Sequence, residues 1–261
     1  MKNNKAKQLI DDALNSLTES LERGHSDELK KYLQTMSRFH RYSFRNTLLI
    51  ALQNPQATHV AGFHAWKKLG RYVRKGETGI VIIAPLVYKK EVADDSDNSA
   101  NVTEINGFKV VYVFDISQTD GADMPEYAHV HGDPSRYSEL LDTFITASGI
   151  RLAYSDDLCA DGLSSGGQIT IRLGLSAAED FAVKVHELAH EFLHHSDEKL
   201  TKTQKETEAE AVAYVVCQSI GLDTNTAFSD YIQLYRGDKE TLISSVQRVK
   251  AVSGKILVGL A

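Results

Sequence analysis

Two histidines and a glutamate have the spacing of a metal-binding helix in the segment His186-Glu187-Leu188-Ala189-His190. Residues four apart lie on one face of a helix, so the imidazoles of His186 and His190 can reach one metal ion. Glu187 follows the first histidine, and a carboxylate there can take a proton from water activated by the metal and pass it to a leaving amine. The pattern predicts a metal site with Glu187 as the catalytic residue.

A second acidic segment, Glu206-Thr207-Glu208-Ala209-Glu210, can complete this metal site. A catalytic zinc ion usually has three protein ligands and one open position. Glu206 and Glu210 are four residues apart and share a helix face, so one can bind the metal while the other holds a histidine N–H. Imidazole and carboxylate ligands favour zinc, and we predict Zn²⁺ as the cofactor.

Basic and aromatic residues are interleaved in two N-terminal segments, residues 38–46 and residues 66–79. This mixture suits single-stranded nucleic acid, because cations follow the phosphates and aromatic rings stack on the bases. In the alternative interpretation the aromatic residues belong to the core and the lysines are only solvated. The predicted DNA contacts are Arg41, Tyr42, Arg45, Asn46, Trp66, Lys67, Arg71, Arg74 and Lys75.

Charge is divided unevenly along the 261 residues, although the net charge is only −6. Residues 1–90 contain 16 Lys or Arg against 7 Asp or Glu, whereas residues 91–261 contain 13 against 28. A basic half favours a polyanion as its partner. The split also indicates two modules with different partners.

The composition excludes several classes of protein. Hydrophobic residues make up 42% and charged residues 25%, which is ordinary for a soluble protein and excludes collagen or wholesale disorder. No apolar run approaches the ~18–20 residues that cross a bilayer, and the N-terminus lacks the apolar region of a secretory signal. Two cysteines cannot form a disulfide framework in a chain of this length. We therefore expect a cytoplasmic protein with no membrane partner.

Hydrophobic spacing predicts an α+β fold in two domains. We expect a helix-plus-hairpin module at residues 1–120, a linker at 121–135, and a mostly helical module with a small sheet at 136–261. In the first module the predicted elements are helices at 5–23, 27–53 and 62–69, and strands at 79–88 and 108–114 joined by a polar loop at 91–104. In the second they are helices at 135–148, 176–195, 204–220, 224–235 and 238–253, and strands at 150–154 and 166–172.

Residues 5–118 resemble the N-terminal single-stranded-DNA-binding domain of ArdC antirestriction proteins. The similar segments are Tyr42-Ser43-Phe44-Arg45-Asn46-Thr47-Leu48-Leu49, Trp66-Lys67-Lys68-Leu69-Gly70-Arg71-Tyr72-Val73-Arg74-Lys75-Gly76-Glu77-Thr78-Gly79 and Val113-Phe114-Asp115-Ile116-Ser117-Gln118-Thr119. Asp115 stands where that family typically has Asn. The resemblance implies single-stranded DNA as a partner, and ArdC proteins also pair this domain with an HExxH metallopeptidase-like domain.

Residues 150–220 resemble the HExxH–Glu metallopeptidases of the ImmA/IrrE type, which implies a zincin-like module. By this resemblance His186, His190 and Glu206 are the zinc ligands, Glu187 is the general acid and base, and a protein or peptide is the substrate. Glu210 replaces an Asn of that family, which leaves Glu206 and Glu210 as alternatives for the third ligand.

These observations together predict a single-stranded-DNA-binding zinc metallopeptidase of the mobile-element antirestriction type. The alternative is a non-proteolytic antirestriction protein that binds single-stranded DNA and has a structural or vestigial metal site.

Overall fold

The computed structural model describes residues 2–23, 27–93, 99–122, 134–158, 160–193, 200–223 and 239–261. The helices in these residues are α1 (Lys2–Glu22), α2 (Asp27–Arg38), α3 (Phe44–Gln53), α4 (Phe63–Lys68), α5 (Ser135–Ala147), α6 (Ala177–Leu193), α7 (Lys202–Ser219) and α8 (Lys239–Gly259). The strands are β1 (Val60–Ala61), β2 (Arg71–Val73), β3 (Ile80–Ala93), β4 (Ser99–Asp115), β5 (Thr119–Gly121), β6 (Arg151–Ser155), β7 (Gly162–Ser164) and β8 (Gln168–Arg172).

The chain forms two compact units, each built from two stretches of sequence. The first unit comprises residues 1–13 and 48–123, and the second comprises residues 14–47 and 124–261. The predicted domains, residues 1–120 and 136–261, differ in their bounds from these two units and remain a prediction. Residues 123–133 of the predicted linker lie outside the described residues.

A long antiparallel hairpin of β3 and β4 is the main element of the first unit. Ile80 pairs with Val113 and Ile82 with Val111, and β1 pairs with the other edge of β4. The side chains of Ile80, Ile82 and Val113 are buried, as expected for the core face of an antiparallel sheet. Strands β2 and β5 form a separate antiparallel pair.

The polar segment at 91–104, predicted to be a loop, forms a β-ladder at residues 91–93 and 99–104, so the prediction is wrong there; residues 94–98 lie outside the described residues. Strand β3 continues to Ala93 and β4 begins at Ser99, with Glu91 paired with Asn101. Backbone hydrogen bonds form this ladder, and they do not require apolar side chains. The acidic composition of the segment therefore did not identify its backbone conformation.

Helix α7 lies at the centre of the second unit. All its residues from Thr207 to Cys217 are buried except Glu210, which is half-buried, and the helix packs against α2, α6 and α8. The small sheet has the order β6-β8-β7, with β6 parallel and β7 antiparallel to β8. Strand β7 was not predicted, since its three residues are too few for a periodic signal.

The single helix predicted at 27–53 is interrupted by a turn at residues 39–43. Buried Lys250 of α8 donates a hydrogen bond from Nζ to the carbonyl oxygen of His40, over 2.6 Å, just after α2 ends. Ser43 precedes α3 and caps its N-terminus, because its hydroxyl accepts a hydrogen bond from the backbone N–H of Asn46 over 3.4 Å. The apolar spacing continues through the turn, so periodicity alone did not show it.

The other helix predictions in the described residues are confirmed with small shifts of their ends, except that α8 continues six residues beyond the predicted end at 253. The helix predicted at 224–235 lies outside the described residues. Among the described residues, none of the helices combines the length and apolar character needed to cross a bilayer. The cytoplasmic location stays a prediction.

Candidate metal centre and nucleic-acid interface

Helix α6 places His186 and His190 side by side on one face. Their Nε2 atoms are 3.1 Å apart. The opposite face is fixed in the core by the fully buried Phe181, Val185 and Leu188. Because the apolar residues hold one face of α6 in the core, the two histidine rings are held together on the other face.

Glu206 brings a carboxylate from α7 to the same point. Its Oε2 atom lies 3.4 Å from Nε2 of His186 and 3.4 Å from Nε2 of His190. Thr201 and Gln204 begin α7 with reciprocal side-chain and backbone hydrogen bonds, which fix the first turn of the helix before Glu206. Hydrogen bonding to His186 lowers the pKa of the Glu206 carboxyl to about 2.

The three donor atoms fit a divalent metal ion. One nitrogen from each histidine and one oxygen from Glu206 all lie within 4.8 Å of one another. Two imidazoles and a carboxylate are a donor set that suits zinc and other first-row divalent ions. Glu210 is not part of this group in the described residues, so the geometry favours Glu206 as the third ligand.

Glu187 is buried beside this cluster, with 8% of its surface exposed. Burial raises the pKa of its carboxyl above the usual value, although His186 and a hydrogen bond from the Ser164 backbone oppose the rise. Gly162 of β7 touches it, since a Cβ atom at that position would lie 2.7 Å from Cγ of Glu187 and 2.6 Å from Cγ1 of Val183. Any side chain at residue 162 would displace the carboxylate.

Glu191 of α6 binds the turn between β7 and β8. The sequence analysis did not identify this residue. Its carboxylate accepts hydrogen bonds from the Ser164 hydroxyl over 2.6 Å, from the Gly166 N–H over 2.9 Å and from the Gly167 N–H over 2.7 Å. Both glycines have positive φ angles, which lets two successive N–H groups point at one anion. The pair Gly166-Gly167 was the available signal in the sequence.

In the first unit, the structure separates the predicted DNA contacts into buried, internally bonded and exposed residues. Trp66 is 1% exposed, and its indole N–H donates to the carbonyl oxygen of Phe114 over 2.8 Å. Arg71 donates to Thr119, and Arg74 donates to Glu77 and to the carbonyl of Ser117. Trp66 is therefore a core residue in this structure, as the alternative interpretation has it. Lys67 and Lys75 are exposed.

The remaining predicted contacts belong to the second unit. Arg41 and Arg45 are exposed, and Tyr42 is half-buried against Phe39, with ring centroids 5.9 Å apart. Asn46 is 9% exposed and belongs to α3. Lys67 and Lys75, by contrast, belong to the first unit.

Asp115, where the resembling family has Asn, is a structural residue. Its carboxylate accepts backbone N–H groups of Thr58 over 2.8 Å, His59 over 3.1 Å and Ser117 over 3.0 Å. Burial opposes its ionisation, but these hydrogen bonds prevail and hold the pKa of Asp115 below its usual value. The motif around Asp115 thus caps the turn after β4.

Four exposed aromatic residues of the first unit are not among the predicted contacts. They are Phe63 (51% exposed), Tyr72 (58%), Phe108 (57%) and Tyr112 (49%). Phe108 and Tyr112 lie in a strand with apolar residues on both faces, so the sequence did not show which face is covered.

Comparison with known proteins agrees with this architecture. Residues 4–114 match the family described as the N-terminal domain of anti-restriction factor ArdC. An uncharacterized protein of Bacillus anthracis, pXO2-81, is 25% identical over 87% of this chain. The chain spans 46% of that relative, less than half of its length. The resemblance of the N-terminal segment to ArdC is thus confirmed.

Two crystal structures of the antirestriction protein ArdC from plasmid R388 have the same fold, each with 19% sequence identity and a TM-score of 0.56. The metal-free structure matches over 96% of this chain and 97% of that protein, and the Mn(II)-bound structure over 97% and 98%. The α+β class is confirmed. The zincin-like character of the second module and the ImmA/IrrE resemblance stay predictions.

Proposed function

We propose that this protein is an antirestriction protein of the ArdC type, which binds single-stranded DNA and holds a divalent metal ion. The match of residues 4–114 to the ArdC N-terminal domain carries the proposal. The shared fold with the R388 protein over nearly the whole of both chains supports it. In this function the protein would cover entering single-stranded DNA and keep nucleases from it, as plasmid-encoded antirestriction requires.

Exposed lysines of the first unit support DNA as the partner, although the Lys and Arg residues of this unit are equal in number to its Asp and Glu residues. Lys67, Lys68, Lys75 and Lys109 are exposed, and none of them makes an ion pair within the described part of the chain. Such lysines attract phosphates and release the counterions of the nucleic acid.

We expect the double substitution Lys67→Gln/Lys75→Gln to weaken binding of an unstructured oligonucleotide. For single strands, each phosphate contact contributes about −0.7 to the slope of log K against log salt, so two lost contacts reduce the slope by roughly 1.4. Fluorescence anisotropy of a labelled oligo-dT across a salt series measures both affinity and slope.

The matched control is Lys30→Gln/Lys202→Gln, which removes the same charge from exposed positions of the second unit. It should leave the salt slope within error of the unchanged protein. If the unchanged protein does not bind oligo-dT at low salt, the proposed DNA function is wrong.

In the proposed metal site, His186, His190 and Glu206 would hold the ion. When bound, a divalent ion supplies a Lewis acid that can polarise an oxygen of water or of a carbonyl group. The Mn(II)-bound structure of the R388 protein supports a divalent metal in this fold, and manganese and zinc are both candidates for this chain.

Peptide hydrolysis is the second candidate function, and the position of Glu187 favours it. A buried carboxyl with a raised pKa, beside three side chains that could hold a metal ion, is suited to accept and release a proton. In this function Glu187 accepts a proton from the attacking water and donates it to the leaving amine, as the ImmA/IrrE resemblance implies. The family match supports the non-proteolytic alternative better, because it names antirestriction and no hydrolysis.

Glu187→Gln separates the two candidates. If the protein is a peptidase, the substitution should reduce cleavage of a labelled unfolded protein about 10²–10⁴-fold, because general acid–base catalysis is lost. Metal content and oligo-dT affinity should not change, since Gln has nearly the same shape and Glu187 is not among the three clustered donors. If the unchanged protein, loaded with Zn²⁺ or Mn²⁺, cleaves nothing, the non-proteolytic function holds.

A further inference from the structure

Helix α4 is anchored in the first unit by one buried side chain. Trp66 is 1% exposed, and its indole N–H donates to the carbonyl oxygen of Phe114 over 2.8 Å. Every other residue of the helix is exposed, namely Phe63, His64, Ala65, Lys67 and Lys68. A short helix held in this way offers most of its circumference to a partner.

Two aromatic rings and two cations share one side of this helix. Residues four apart face the same direction, which pairs Phe63 with Lys67 and His64 with Lys68. At ~100° per residue these four positions cover an arc of about 140°, and Trp66 falls outside it. The four side chains therefore form one continuous surface, which we call the α4 face.

The ring of Phe63 is supported by a neighbour and still accessible. It meets the His64 ring at 89°, with the centroids 5.7 Å apart, and 51% of Phe63 is exposed. A Cβ atom added at Gly62, just before the helix, would have no neighbour within 4 Å among the described residues other than 61 and 63. This end of α4 is therefore open to a flat apolar ligand.

The lysines of the α4 face have no acidic neighbours in the sequence. Between Glu28 and Glu77 the chain contains no Asp or Glu. Lys67 and Lys68 make no ion pair within the described residues. Asp115, which binds the backbone of Thr58 and His59 before β1, is only 2% exposed. The ligand that complements the two lysines is an anion.

A second exposed ring of the first unit lies in a different electrostatic environment. Tyr72 of β2 is 58% exposed and pairs with Asp120 of β5, whose side chain is 73% exposed. Arg74 contacts both Asp120 and Glu77, so these three side chains together carry one excess negative charge. Side chains directly opposite in an antiparallel pair share a face, so a phosphate at Tyr72 would meet the Asp120 carboxylate.

We infer that the α4 face binds single-stranded DNA, with a base stacked on Phe63 and the flanking phosphates against Lys67 and Lys68. An exposed ring beside two available cations fits a partner that offers flat bases on an anionic backbone. The paired bases of a duplex are not available for such stacking. This inference rests on the proposed DNA function and names the surface that performs it.

The test compares two oligonucleotides of equal length, oligo-dT and its abasic sugar-phosphate analogue, by fluorescence anisotropy across a salt series. The unchanged protein should prefer oligo-dT. Phe63→Ala should weaken oligo-dT binding about 10- to 100-fold and leave the affinity for the abasic analogue unchanged, because only base stacking is lost. The salt slope of this variant should also stay the same, since no cation is removed.

Lys67→Gln/Lys68→Gln tests the cationic part of the α4 face. It should weaken binding of both oligonucleotides by a similar factor and keep the preference for oligo-dT. The slope of log K against log salt should fall by roughly 1.4, as expected for two lost phosphate contacts on a single strand. An unchanged slope would overturn the assignment of the phosphates to these lysines.

Tyr72→Ala is the matched control, because it removes a similarly exposed aromatic side chain from the first unit. It should bind oligo-dT as tightly as the unchanged protein does. Phe63→Tyr keeps a ring and should keep the preference for oligo-dT, whereas Phe63→Leu stays apolar and should lose it. Thermal unfolding monitors the fold of each variant, and Phe63→Leu decides the question if Phe63→Ala does not fold.

The outcomes distinguish this inference from the function beneath it. Absence of binding to both oligonucleotides at low salt overturns both. Three results overturn stacking on the α4 face alone: binding without preference for oligo-dT, full oligo-dT affinity in Phe63→Ala or Phe63→Leu, and an equal loss in Tyr72→Ala. The proposed DNA function would then stand without this surface.

Discussion

Glu206→Ala should abolish tight binding of Mn²⁺ and Zn²⁺, whereas Glu210→Ala should retain it. Loss of residues that only orient metal ligands costs ~10–100-fold in affinity, so loss of a direct ligand should cost at least about 100-fold. Glu206 supplies the single oxygen near both histidine nitrogens in the clustered group, which is why its removal has the larger effect. Isothermal titration of metal into chelator-treated protein measures the affinity.

Glu210→Ala is the matched control, because it removes an identical side chain one helical turn further along α7. His190→Ala should behave as Glu206→Ala does, since it removes one of the two clustered nitrogens. Equal metal affinity in the Glu206 and Glu210 variants would contradict the assignment of the third ligand. If the unchanged protein binds neither metal, the proposal of a metal site is wrong.

The sequence was sufficient for the parts of the metal site that depend on local geometry. His186 and His190 share a face because helical spacing alone requires it. The third donor was undecided, because Glu206 and Glu210 also share a face and only the packing of α6 against α7 distinguishes them. Glu191 was missed for the same reason, since its partners belong to the β7–β8 turn more than 20 residues earlier.

The basic segment shows what composition cannot reveal. Its content of Lys and Arg predicted a cationic surface, yet Arg71 and Arg74 hydrogen-bond to groups between residues 117 and 122. Trp66 likewise bonds to a strand almost fifty residues later. These partners lie at the end of β4, in the turn that follows it and in β5, which are distant from residues 66–79 in sequence. A local sequence pattern cannot predict such long-range contacts. The exposed rings of β4 were missed because periodicity identifies two faces but not the covered one.

The ion pair between the buried Glu208 of α7 and the half-buried Arg248 of α8 should contribute strongly to stability. Glu208 is completely buried, and Arg248 meets both oxygens of its carboxylate, with Nε 3.0 Å from Oε2. Arg248→Ala removes the guanidinium and leaves the charge of Glu208 in the core. Breaking a buried pair from one side costs about 3–5 kcal/mol, and we expect the free energy of unfolding to fall by that amount.

The double variant Glu208→Met/Arg248→Met is the informative control. It removes both charges and keeps apolar volume between α7 and α8, and such replacements are often neutral or stabilising by ~1–4 kcal/mol. Urea unfolding of the three proteins should therefore place the single variant well below the other two. A single variant as stable as the unchanged protein would mean that Glu208 does not need the guanidinium. Equal destabilisation of both variants would show instead that the loss comes from packing between the two helices and not from removal of the guanidinium charge.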